Sequence, residues 1–64
     1  MMNSEKLKHL LKHWIEHSQE HNKKYLEWAD KIKDDRPDIA ELIREAVRKF
    51  EEGEKLLRQA YDKL

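Results

Sequence analysis

The chain reads as an all-α protein, an antiparallel two-helix hairpin, and three observations predict it. Apolar residues recur at alternating steps of four and three along both halves of the chain. The only proline, Pro37, lies in the one stretch that breaks this pattern, Asp34-Asp35-Arg36-Pro37-Asp38. Neither Gly nor Pro interrupts residues 5 to 33. Alternating four-three spacing keeps an apolar seam on one side of a helix, and a short connection between two such helices makes them antiparallel neighbours.

The first helix is expected over residues 5 to 33. Ser4 is placed to cap it, with Glu5 in the first turn near the positive end of the helix dipole. Its seam is Leu7, Leu11, Trp14, Ser18, His21, Tyr25, Trp28 and Ile32, with Ser18 and His21 as the polar members. The turn is assigned to residues 34 to 36. Pro37 disfavours helical geometry at Arg36 but fits the first turn of a following helix, so Asp35 or Arg36 is the expected N-cap.

The second helix is expected over residues 37 to 63, giving a single helical-hairpin domain over residues 1 to 64. Its seam is Ile39, Ile43, Ala46, Phe50, Gly53, Leu57, Ala60 and Leu64. Each helix is then about 28 residues, or roughly 42 Å, long. Glu precedes Lys or Arg by four at Glu20/Lys24, Glu27/Lys31, Glu45/Lys49, Glu51/Lys55 and Glu54/Arg58, a spacing that supports exposed helices. Centring the turn between Asp35 and Arg36 places Trp28 near Ile43, His21 near Phe50, Ser18 near Gly53, His17 near Glu54 and Trp14 near Leu57. Gly53 costs about 1 kcal/mol relative to Ala inside a helix. Close packing around Trp14 or the His17/His21 layer is its expected reason.

Composition narrows the functional classes. The 64 residues carry 14 Lys plus Arg and 14 Asp plus Glu, for zero net charge and 44% charged residues. Neither half has the basic stripe that phosphate-backbone binding needs, so nucleic acid is not an expected partner. With no Cys, disulfides and thiolate metal sites are excluded. No apolar run approaches a membrane span, and Met1-Met2-Asn3-Ser4 lacks the features of a signal peptide. The expectation is a soluble cytoplasmic protein with no membrane contact.

A chain this short buries little apolar surface alone. Leu10, Ile15, Leu26, Leu42, Val47 and Leu56 flank the two seams, so the apolar surface is wider than one helix pair covers. Pairing of two hairpins into a homodimeric four-helix bundle is expected, burying Trp14, Trp28 and Phe50. Another protein partner on the same surface is the alternative.

All four histidines, His9, His13, His17 and His21, recur every four residues. Residues four apart stack on adjoining helical turns, so this histidine-rich stretch forms a ladder that winds slowly toward the seam. Neutral imidazoles at this spacing chelate Zn, Ni, Co or Cu. His17 and His21 are the expected primary metal ligands and His13 the secondary one, with Glu20, Glu54 or a second subunit completing the shell. The function this predicts is storage, buffering or delivery of a divalent transition metal. A helical oligomerisation or partner-binding module with structural histidines and no metal is the alternative. His21 in a seam would then specify register much as a buried Asn does.

Two resemblances attach to the ladder. His13-x-x-Glu16-His17 and His17-x-x-Glu20-His21 resemble the zinc motif of inverzincin peptidases, in which two His hold zinc and Glu is the general base. That resemblance covers five residues, and nothing else in the chain builds the further ligand and cleft such an enzyme needs. Enzyme activity is therefore not expected. The run His13 to Ala29, with His-Trp-x-x-His and a later Tyr-x-x-Trp-Ala, resembles a small prokaryotic helical-hairpin family. The resemblance implies the hairpin and brings no activity with it.

Overall fold

The structure, a computed structural model, describes residues 2 to 64. It has two helices, α1 (Met2–Ile32) and α2 (Pro37–Lys63), packed side by side as a hairpin 52 Å long. Among the described residues there is no strand.

The helix boundaries follow local chemistry with one exception. α1 already includes Met2, Asn3 and Ser4, so Ser4 lies inside the helix and does not cap it. At the other end, the Ile32 carbonyl accepts from the backbone N–H groups of Asp35 (3.1 Å) and Arg36 (2.8 Å), which closes the turn. Arg36 is the N-cap of α2 with φ −136° and ψ 77°, outside the helical region that a following proline disfavours. Its carbonyl accepts the first helical hydrogen bond, from Ala40. Its guanidinium holds the Asp38 carboxylate through two bonds of 3.0 and 3.1 Å, lowering the Asp38 pKa from the usual carboxylate value.

The seam between the helices is turned from the expected one. On α1 the buried positions are Leu11, Ile15, Asn22 and Ala29; on α2 they are Ala40, Val47 and Glu54. Leu11 belongs to both seams, but Trp14, His21 and Trp28 give way to their successors Ile15, Asn22 and Ala29. On α2, Ile39, Ala46 and Gly53 give way to Ala40, Val47 and Glu54. The turn amounts to about 50° about the α1 axis. Bulk is the cause. Neighbouring helices sit about 8–10 Å apart, and an indole between them would force the axes wider. Ala29 and Ala40, both fully buried, allow close approach beside the turn, and the tryptophans move to the flank. Trp14 is 47% and Trp28 63% exposed.

Register lies close to expectation. Ser18 meets Glu54, one place beyond the expected Gly53, and Phe50 lies beside Tyr25 at a ring-centroid distance of 5.8 Å instead of beside His21. Lys8 lies 4.9 Å over the Tyr61 ring near the open end.

The surface ion pairs run mainly at spacing three, where the sequence suggests four. Arg48 reaches Glu45 and Glu41 together, and Lys33 pairs with Asp30 at 2.9 Å. Residues three and four apart are both neighbours on a helix, and the forked guanidinium can serve two carboxylates. Those contacts lower the pKa values of Asp30 and Glu45 and raise those of Lys33 and Arg48. Two expected pairs are replaced by other contacts: Lys31 lies 4.6 Å over the Trp28 ring, and Glu54 turns inward.

These burials separate the two kinds of large side chain. Ile15→Ala should destabilise the chain by about 2–5 kcal/mol in urea denaturation, as removal of a fully buried branched side chain does. Trp28→Ala should cost well under half as much in dilute solution, because most of that ring is already wet.

Candidate functional site

The middle of the hairpin has a polar layer inside the seam. The Glu54 carboxylate is nearly buried and accepts hydrogen bonds from the Ser18 hydroxyl and, at 2.5 Å, from the Asn22 side-chain amide. Helical geometry prepares this. Ser18 and Asn22 are four apart, so their side chains stack on one face of α1 and converge on a single acceptor. No Lys or Arg among the described residues pairs with Glu54. Both donors meet the same carboxylate oxygen. The Asn22 carbonyl oxygen is buried and accepts nothing within the chain.

Ser18 and Asn22 also line a groove of about 280 Å³ on one face of the hairpin. Its other sides are Trp14, His17, His21, Tyr25 and Phe50. Glu54 does not line this groove; it lines a more polar one with Ile15, Gln19 and Arg58.

The ladder lies along the aromatic groove. The ring centroids of His13 and His17 are 4.6 Å apart, and those of His17 and His21 are 6.1 Å apart. His21 then stacks with Tyr25 at 6.1 Å, and Tyr25 meets Phe50 across the hairpin. A continuous line of rings thus runs from the edge of α1 onto α2. All four histidines are exposed, as is Glu20.

The structure brings some of the expected metal-site residues together and separates others. His13, His17 and His21 lie on adjoining turns, and His17 and His21 share the groove. Glu54, expected beside His17, is taken by Ser18 and Asn22. Among the described residues no three His, Asp or Glu side chains are grouped to hold one ion.

Asn22 and Tyr25 also belong to the site. Tyr25 extends the ladder by the same step of four, a signal present in the sequence. Asn22 has no such mark, because its importance depends on which residue of α2 faces it.

Comparison with known proteins agrees on family. Residues 7–64 match the family described as Domain of unknown function (DUF8180). The chain belongs to that family. An uncharacterized protein of Archaeoglobus fulgidus is 47% identical over 58 residues, covering 91% of this chain and 94% of the relative. No solved structure matches significantly. Among the described residues no helix of this DUF8180 chain is long and apolar enough to cross a membrane.

The polar layer can be tested directly. Asn22→Ala leaves the buried Glu54 carboxylate one donor short and should cost about 1–3 kcal/mol by urea denaturation. Replacing all three residues, Ser18→Ala with Asn22→Leu and Glu54→Leu, should recover that loss. It should also broaden the amide NMR spectrum, because the hairpin then lacks its register lock.

Proposed function

We propose that this protein is a helical association module, whose exposed apolar face docks a protein surface to complete a four-helix bundle. The observation that carries this reading is where the hairpin leaves its aromatics. Trp14, Tyr25, Trp28 and Phe50 are between 40% and 63% exposed, while Ala29, Ala40 and Val47 fill the seam. Large contiguous apolar patches are uncommon on proteins that act alone and mark association sites. The expected result is a homodimer by sedimentation equilibrium at micromolar concentration, with blue-shifted tryptophan emission relative to dilute protein. A folded monomer at high micromolar concentration, with emission that ignores concentration, would overturn the reading.

A specific observation supports a second reading, that the ladder takes a divalent transition metal. His17 and His21 stand on adjoining turns with both rings at one groove, the arrangement a two-imidazole chelate needs. Zinc, nickel, cobalt or copper is then held by His17 and His21, with His13 as the next ligand. Glu20, beside the ladder, or a second subunit supplies the rest. Metal that binds only the folded chain raises its melting temperature in proportion to ln(1 + [metal]/Kd). That rise is expected with at least one of the four metals at about pH 7.5, lost in the His17→Ala/His21→Ala variant and shrinking toward about pH 5, where protons compete for imidazole. A melting temperature unmoved by all four would sink the metal site and leave the association reading standing.

A further inference from the structure

The exposed face has a pattern finer than its apolarity. Residues seven apart fall on nearly the same side of a helix, so Leu7, Trp14, His21 and Trp28 form one row on α1, and Ile39, Ala46, Gly53 and Ala60 form one row on α2. Both rows contain residues that the seam turned outward, in the same sense on two antiparallel helices, so both lie on one face of the hairpin. Neither row contains an Asp, Glu, Lys or Arg, in a chain that is 44% charged. The α1 row is bulky at its centre and the α2 row is small there.

Gly53, at the centre of the small row, serves no close contact within the chain. A Cβ added at Gly53 would meet no atom within 4 Å, and the backbone there has no positive φ. A glycine inside a helix, unneeded by its own fold, fits a body that packs against it from outside. The groove on the same face supplies an independent sign. Asn22, only 6% exposed, lines that groove with a carbonyl oxygen that accepts no hydrogen bond from its own chain.

Resting on the association reading, we propose that the occupant is a second copy of this chain, related by a two-fold axis parallel to the helices. Each α1 then lies over the partner's α2, and the row Trp14, His21, Trp28 enters the partner's row Ala60, Gly53, Ala46. The levels agree. With Ser18 opposite Glu54 in an antiparallel pair, Trp14 lies near the height of Ala60, His21 near Gly53 and Trp28 near Ala46. The other face-to-face two-fold, perpendicular to the helices, stacks α1 on α1. It sets tryptophan against tryptophan and leaves the Ala/Gly rows facing a void, whereas cores favour large against small. The size also suits a second copy. The hairpin measures 52 by 15 Å across this face, which is about 800 Å² in projection and close to what each partner contributes to a standard interface. Zero net charge removes long-range repulsion between identical copies.

Because the chain has no Cys, single cysteines can report the arrangement. The His21→Cys and Gly53→Cys variants are mixed, oxidised and mapped by mass spectrometry. Helices in direct contact bring facing Cα atoms within disulfide reach, under about 7 Å, whereas helices on the bundle diagonal do not come so close. The expected product joins position 21 of one chain to position 53 of the other, at least tenfold over 21–21 and 53–53 products. Gly53→Leu should weaken dimerisation at least tenfold with helicity unchanged, since the branch point of the new side chain meets no atom of its own chain within 4 Å. Gln59→Leu, on the opposite groove, should leave it unaltered. A dominant 21–21 product, or wild-type dimerisation of Gly53→Leu, overturns the arrangement while association stands. A wild-type chain that sediments as a monomer and yields no cross-chain product overturns association itself.

Discussion

A carboxylate placed between two helices needs its hydrogen bonds, because burying it without partners costs several kcal/mol even after the surroundings relax. Glu54 has two donors, Ser18 and Asn22, and both come from α1. This makes the polar layer a statement about register. Slide α1 by one heptad in one direction and Leu11 and Ile15 face the carboxylate; slide it in the other and Tyr25 and Ala29 do. Neither pair offers two donors there. The short turn closed on the Ile32 carbonyl already resists such a slip. The polar layer does not tolerate it, and so one alignment is selected.

The same layer helps decide which faces are left outside. Asn22 and Glu54 can meet only if each helix turns the residue after His21 and after Gly53 toward its neighbour. Fully buried Ala29 and Ala40 reinforce that turn beside the loop, where close axes leave no room for an indole. The cost is that the chain's largest apolar side chains remain at the surface. For a chain of this size that cost is considerable, because aromatic burial is among the main sources of stability that a small domain has. The hairpin thus places its specificity inside and much of its hydrophobic capacity outside.

The histidine ladder and the aromatic face are one surface. His17 and His21 line the groove with Trp14, Tyr25 and Phe50, and the ring series crosses from α1 to α2. Anything that docks on the face therefore meets the inner end of the ladder. His13 lies one turn farther from the groove centre, and Glu54 opens on the opposite side of the molecule. A metal held by His17 and His21 and a partner docked on this face would therefore share the same side chains.

Much of the fold was legible in the chain itself. The four-three spacing, the break at residues 34 to 36 and Pro37 in the first turn of α2 are local properties, and local periodicity alone makes two helices and an antiparallel return. The His13–His17–His21 stack was legible for the same reason, since a step of four fixes neighbours within one helix. What periodicity could not decide was the rotation of each helix about its own axis. The widest apolar stripe and the stripe that fits between two closely spaced helices differ by about half a residue step. Choosing between them depends on residues distant in sequence: Ala29 and Ala40, both buried near the turn, and Ser18 with Asn22 on Glu54. That is why Glu54 read as a partner for His17 and proved to be the acceptor of the polar layer, and why Trp14 and Trp28 read as members of the seam between the helices and lie beside it. Helix identity is set within a few residues along the chain; helix facing is set by volume and by buried polar groups that only the packed pair brings together.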